Sequence, residues 1–300
     1  MDKGIYTALS GGIAKAHEMD LVANNLANIN TPGFKRDAGT FNEYLRELRK
    51  PDTVEGLARE IKADTSLDGR PVGDKSFVEM DGVYTNYDQG GLQKTGRSLD
   101  VALQGEGFFE VLTPSGVRYT RQGNFSMSPE GVLVTVNGFP VLSSTRGLPI
   151  RSKAVDVTGE GSTPAGAAPS GESDSGSYKA IAPEKRMIKM GDGTVNITED
   201  GGIYQNGARL ATLSVEEFHE SQWLEKSGNS YFRNTNPDNI KFGENKTKLI
   251  QGFVEGSNVN PIREMTKLIE VTRAYESHMQ AIKTYQEIDG RTVNDIARDR

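Results

Sequence analysis

Catalysis and metal binding need particular side chains at particular spacings, and few such arrangements occur in this chain. Cysteine is absent from the 300 residues, which removes disulfides, thiolate metal sites and a thiol nucleophile. His17, His219 and His278 are the only histidines, and none has another ligand type at metal-site spacing. His17 and His278 read as surface or seam residues of helices. Gly105-Glu106-Gly107 lacks the third glycine of a dinucleotide fingerprint and runs into Phe108-Phe109 rather than a helix start. The acidic stretch 192–200 puts Thr194 and Ile197 where a calcium loop needs a ligand or a glycine. Glu216 and Glu217 are adjacent, so they point apart instead of converging as an acid–base pair. No P-loop, GxSxG or HExxH pattern occurs. The residues give no reason to expect catalysis, a cofactor or a metal.

Composition narrows the partners. The net charge is −6, with both signs dispersed, so nothing is basic enough to grip nucleic acid and no polybasic run favours a membrane surface. No stretch approaches 18 apolar residues, so no membrane insertion is expected. The N-terminus shows no apolar signal-peptide core, and export, if it occurs, would use a route other than a cleaved signal. A hydrophobic fraction of 35% with 34 glycines implies a core that is thin or shared with neighbours.

The chemistry that does concentrate is amide chemistry. Asn24, Asn25, Asn28 and Asn30 crowd the end of the first 36 residues. Asparagine is a poor helix former, yet this stretch has helical spacing. Ile5, Leu9, Gly12, Ala16, Met19, Ala23, Leu26 and Asn30 follow steps of four and three, a heptad seam that packs along another helix. Gly12, Ala16 and Ala23 would let a partner approach closely. Amides in such a seam are expected to bond to one another and fix register and partner number. Thr31-Pro32-Gly33 stops the helix.

The far end mirrors this pattern. Asn260 is a good N-cap, Pro261 fits the first helical position, and Met265, Leu268, Thr272, Tyr275, Met279 and Ile282 form a second seam. Ile269, Ala281 and Tyr285 widen it on one flank.

Between the helices the grammar is mostly β. Phe41, Tyr44, Leu45 and Leu48 predict a short amphipathic helix over 40–50, followed by a connector over 52–75. Asp81-Gly82 and Gly90-Gly91 break 77–93 into hairpin-like runs. From 96 onward, alternating apolar residues are punctuated by Pro114-Ser115-Gly116, Ser128-Pro129-Glu130-Gly131, Asn137-Gly138 and Asn206-Gly207. Residues 158–177 are almost wholly small or polar and read as a flexible insert. The expected fold class is α+β. A β-rich central domain of antiparallel hairpins, a sandwich or small barrel, is flanked by terminal heptad helices that pair in the assembly. The divisions are an assembly helix and turn at 1–36, a connector at 37–95, the β domain at 96–250 and a second assembly helix at 251–300, which packs with 1–36.

MDKGIYTALSGG and LVANNLANINTPGFKR closely resemble the N-terminal signature of the bacterial flagellar rod and hook proteins. The resemblance extends through TGRSLDVALQGEGFFEV at 95–111, YTRQGNFSMSPEGVLVTVNGFPVL at 119–142 and IQGFVEGSNVNPIREMTKLIEVTRAYES at 250–277. Within that family, GIYTALSGG and EGSNVNPIREM are most similar to proximal rod members, with distal rod members next. The insert at 158–177 departs from the pattern.

The resemblance implies a structural subunit with no catalysis and no cofactor, which polymerises helically with itself and other axial proteins. It implies the basal-body rod in the periplasm, where the rod acts as a drive shaft for motility. It also implies export through the flagellar type III apparatus. The expected assembly interface combines Ile5, Leu9, Gly12, Ala16, Met19, Ala23, Asn24, Asn25, Leu26 and Asn28 with the six C-terminal seam residues. Two other classes stay open at this stage: a β-rich oligomeric extracellular binding module, and an enzyme acting on the cell wall.

Overall fold

The computed structural model describes residues 2–45, 76–144, 182–191, 193–228, 230–241 and 246–298. The connector expected at 52–75 and the insert expected at 158–177 lie outside the described residues. Along the chain run α1 (Asp2–Ala27), β1 (Asp37–Leu45), β2 (Ser76–Thr85), β3 (Leu92–Lys94), β4 (Val101–Gln104) and β5 (Phe108–Thr113). Next come β6 (Gly116–Thr120), β7 (Ser126–Met127), β8 (Leu133–Val134), β9 (Val195–Ile197), β10 (Gly202–Gln205) and β11 (Ala208–Thr212). The chain closes with β12 (Val215–Glu216), β13 (Leu224–Lys226), β14 (Tyr231–Asn234), β15 (Lys248–Gln251), β16 (Phe253–Glu255) and α2 (Pro261–Arg298). The class is α+β, with a helix at each end and antiparallel sheets between. Among the described residues no sheet closes into a barrel.

Two compact units divide the chain. The first draws on 1–94, 220–222 and 254–300 and contains both helices. Helix α1 ends where Asn28 N–H is shared between the carbonyls of Asn24 and Asn25, at 3.2 Å each. Gly33 then turns the chain at φ +66°, a left-handed conformation that glycine adopts without cost. Helix α2 starts as its sequence predicts: Asn260 Oδ1 accepts from the N–H groups of Ile262 and Arg263 at 3.1 and 3.2 Å, with Pro261 at the first position. It runs to Arg298, carrying Gly290 in its interior.

The segment expected to begin a short helix at residue 40 is instead β1, paired antiparallel with β2 from Asp37↔Thr85 to Leu45↔Ser76. The reason is tertiary. Asn25 holds the backbone of Asp37 in extended form, and Thr85 Oγ1 donates to Asp37 Oδ1 at 2.7 Å, so the chain leaves residue 36 already in strand conformation. Residues 46–50 of the expected helix lie outside the described residues. Asp81-Gly82 is likewise not a hairpin turn. β2 runs through it, and the register shifts opposite Thr40/Phe41, so the extra residue makes a β-bulge. Gly90-Gly91 is a close approach of two backbones: a Cβ at Gly90 would collide with the Gly256 carbonyl, and Gly256 N–H donates to Gly91 O at 2.8 Å.

The second unit comprises 95–219 and 223–253. Its largest sheet has the order β12-β5-β6-β14-β13, beside the three-stranded β11-β10-β9 and the pairs β15-β4 and β7-β8. The expected turns form. Pro114-Ser115 joins β5 to β6, Ser128 and Gly131 close the β7–β8 connection, and Gly138 N–H donates to Thr135 O. Asn206 and Gly207 both take positive φ, 51° and 83°, between Gln205 and Ala208, as a two-residue type I′ hairpin demands. The core gathers Val101, Leu103, Phe109, Phe125, Val141 and Ile203 among others, with Phe109 edge-to-face on Phe125 at 5.0 Å. Arg186 forms a bidentate pair with the buried Glu110 carboxylate and donates from Nε to Ser143 O at 2.9 Å.

Candidate assembly surface

The first unit is where a functional surface can be built, because its two helices carry apolar residues of two kinds, buried and bare. The helices run antiparallel: the N-terminal Gly4 lies under the Tyr285 ring, Gly11 under His278, and Met19 beside Thr272. A Cβ at Gly4 would come within 2.9 Å of Tyr285 Cζ, and one at Gly11 within 2.7 Å of His278 Cε1, so small residues do permit the close approach. Gly12, the position expected to do this, faces His278 Cβ at an ordinary 3.7 Å.

On α1 the side facing into the unit follows Gly4, Ala8, Gly11, Lys15, Glu18, Val22 and Asn25, one residue behind the expected seam. Ile5, Ala16, Met19 and Leu26 are half-buried, Gly12 is buried, and Ala23 and Asn24 are exposed. On α2 Leu268, Thr272, Tyr275, Met279 and Ile282 are half-buried on the flank of a stripe centred on Glu264 and Val271, and Met265 is exposed. Of the expected residues, Thr272 and Met19 do meet, with Thr272 Oγ1 3.8 Å from Met19 Sδ.

Charge sits at the centre of this contact. Glu18 accepts from Lys15 at 2.8 Å and from Lys267 of α2 at 3.0 Å. Burial pushes the Glu18 carboxyl up, but hydrogen bonds and charge from the two lysines outweigh it and hold it below the usual carboxylate range.

The asparagines do not bond to one another's side chains as the sequence leads one to expect. Asn25 is buried and committed to one backbone unit: its Nδ2 donates to Asp37 O at 2.8 Å and its Oδ1 accepts from Asp37 N–H at 3.0 Å. Asn28 folds back on the helix, donating to Asn24 O at 2.9 Å, and its Oδ1 accepts from Thr31 at 3.1 Å.

Behind the helix pair lies a polar junction that the sequence did not announce. Lys35 and Glu255 are both fully buried, with Nζ 2.7 Å from Oε1. Lys35 also donates to Asp88 O at 2.7 Å, and Gly90 N–H donates to the same Glu255 oxygen at 2.9 Å. Arg36 Nε lies 2.5 Å from Glu264, and Asn258 bridges Arg36 N–H to the carbonyls of Asn86 and Asp88. Thus the turn after α1, the strand ending before 90 and the start of α2 are one bonded cluster. The only sequence signal was the basic pair Lys35-Arg36 directly after a helix stop.

Several large apolar side chains also stay on the surface. Leu9 and Ile13 on α1 are 44% and 51% exposed, and Ile262, Met265 and Ile269 on α2 are 76%, 51% and 54% exposed. Tyr6 is also bare. Among the described residues no three acidic or histidine side chains converge as a metal site would require. No helix is long and apolar enough to cross a membrane. Exposed apolar helix residues such as these are the kind of surface that binds protein.

Three family models match the chain. Residues 5–35 match one described as flagella basal body rod protein, 102–165 one described as flagellar hook protein FlgE/F/G D1 domain, and 250–296 one described as flagellar basal body rod FlgEFG protein C-terminal. The chain is 32% identical to the flagellar basal-body rod protein FlgF of Caulobacter vibrioides over 302 residues, covering 99% of each. It is 29% identical to FlgF of Rhizobium meliloti, over 92% of this chain and 90% of that one. It is 28% identical to the rod protein FlgG of Bacillus subtilis, over 98% and 99%.

Proposed function

The chain belongs to the flagellar basal-body rod protein family, and from that premise we propose that it is a structural subunit at the proximal end of the rod. The observation that carries this is full-length kinship at 32% identity to a rod protein, with family matches that include both terminal helices. Its work is mechanical: it polymerises with copies of itself and with other axial proteins into a shaft that transmits torque. No catalytic step is involved. The terminal helices supply the assembly contacts. The subunit reaches the periplasm through the flagellar type III apparatus.

The terminal helices support this reading because each keeps bare apolar residues after pairing with the other. An isolated helix with internal Asn and Gly is marginal, so such faces are stable only when neighbours cover them. Deleting the gene in its host tests the proposal. Cells should lose motility and accumulate basal bodies that stop before the distal rod, with swimming restored by the gene in trans. Swimming cells with complete basal bodies would overturn the assignment; arrest after a complete proximal rod would move the subunit to the distal position.

A further inference from the structure

Asn-Gly occurs twice in the chain, at Asn137-Gly138 and Asn206-Gly207, and both pairs lie exposed in turns of the β unit. Besides forming turns, this pair has a chemistry of its own. The glycine backbone nitrogen, once it has given its proton to solvent base, can attack the asparagine Cγ, because no glycine side chain obstructs the approach. The new N–Cγ bond forms as the carboxamide C–N bond breaks, and the amide nitrogen takes a proton and leaves as ammonia. Water then opens the five-membered imide at either carbonyl. One opening gives aspartate, the other an isoaspartate whose main chain runs through the side-chain carbon. In a folded chain the rate depends on whether the glycine nitrogen and the carboxamide are free to meet.

The two turns differ in this respect. At Asn137 both reacting groups are held. Gly138 N–H donates to Thr135 O at 2.9 Å, and Asn137 Nδ2 donates to Tyr231 Oη at 3.1 Å. Tyr231 is itself fixed: it is buried, donates to Thr135 Oγ1 at 3.0 Å and packs edge-to-face on Phe139 at 5.5 Å. At Asn206 neither group is held. Gln205 pairs with Ala208, so Asn206 and Gly207 are the whole loop. Among the described residues neither the Gly207 N–H nor the Asn206 carboxamide makes a hydrogen bond. The carboxamide rests over Gly193, where a Cβ would come within 2.7 Å of Oδ1, so the neighbour beneath it is backbone alone.

We propose that Asn206 is a site of spontaneous deamidation, and that the fold protects the identical pair at Asn137. The site needs only the folded β unit and does not depend on the rod-subunit reading. Conversion to aspartate adds a negative charge at the hairpin tip. Conversion to isoaspartate adds a main-chain atom to a two-residue loop whose length sets the register of β10 on β11. Ile203 of β10 is fully buried in the core, so the base of the hairpin stays anchored and the change falls on the exposed residues 206–210.

Purified full-length chain, aged in heavy-oxygen water at mildly alkaline pH, tests this by peptide mass mapping and an isoaspartate-specific methyl-transfer assay. The Asn206 peptide should exchange its amide for a heavy-oxygen carboxylate roughly tenfold faster than the Asn137 peptide, the factor that one or two hydrogen bonds supply. In urea, where no fold distinguishes the two pairs, the rates should converge. Tyr231→Phe removes only the hydroxyl that holds Asn137, and should speed conversion there roughly two- to tenfold while leaving Asn206 unchanged. Equal rates at the two sites in the folded parent chain, or an Asn206 that converts in urea and stays intact when folded, overturns the proposal. A folded Tyr231→Phe chain with no faster conversion at Asn137 overturns the protection. If that variant does not fold, the comparison within the parent chain decides the matter alone.

Discussion

At the scale of residues, the buried Lys35–Glu255 pair is the strongest commitment in the helical unit. Both groups are fully excluded from solvent, and Glu255 Oε1 also holds Gly90 N–H. Removing one member of such a pair leaves an unbalanced buried charge, which costs about 3–5 kcal/mol, whereas replacing both is often nearly neutral. Lys35→Met should therefore lower the unfolding midpoint of the helical signal strongly. Lys35→Met/Glu255→Gln, which keeps an acceptor for Gly90, should recover most of the loss. Urea melts of the four members of the cycle measure this, and a Lys35→Met melt within about 0.5 kcal/mol of the parent chain would refute it.

At the scale of elements, what could be read from the sequence followed local rules. The N-cap at Asn260 and the Asn206-Gly207 hairpin depend on two to four residues, and both appear; Gly33 does turn the chain at positive φ, but α1 stops earlier than Pro32-Gly33 predicts, at Ala27, so Asn28 and Asn30 lie beyond the helix. Elements decided from afar did not show. Residues 40–45 have helical spacing but are held as a strand by Asn25 and by β2. Within the chain, the side of α1 that meets α2 lies one residue behind the seam read from the sequence, because that side is partly polar: Glu18, Lys15 and Asn25 occupy positions where a periodicity search expects Leu. Apolar residues on the outer edge drew the pattern away from the inner contact.

That polar face also makes the pair sensitive to pH. The folded carboxyl of Glu18 sits below its unfolded value of about 4.5, so its contribution is complete above that value and is lost as pH falls through the folded one. Acidification from pH 6 to pH 3 should loosen α1 from α2, and Glu18→Gln should flatten that part of the profile. An unchanged profile in the variant would show that Glu18 is not the group responsible.

At the scale of the whole molecule, the two units should differ in what they need. The β unit has a contiguous core built on Val101, Phe109, Phe125 and Ile203 and hairpins with strong turns, so it can fold from its own contacts. The helical unit has a polar contact between its helices, internal glycines and asparagines, and uncovered Leu9, Ile13 and Ile269. Most helical stability comes from burial of an apolar face, and here a large share of that face awaits a neighbour. The rod-subunit proposal therefore predicts that folding of the termini is coupled to assembly. In dilute monomer, circular dichroism should show less helix than α1 and α2 contain. Protease should cut first within 1–36 and 260–298 and leave a β fragment near 95–253, with both ends protected once the protein assembles. Ends that resist cleavage in dilute monomer as fully as in the assembly would mean that the helix pair is complete in one chain, and covering its bare apolar residues would then contribute little to its stability.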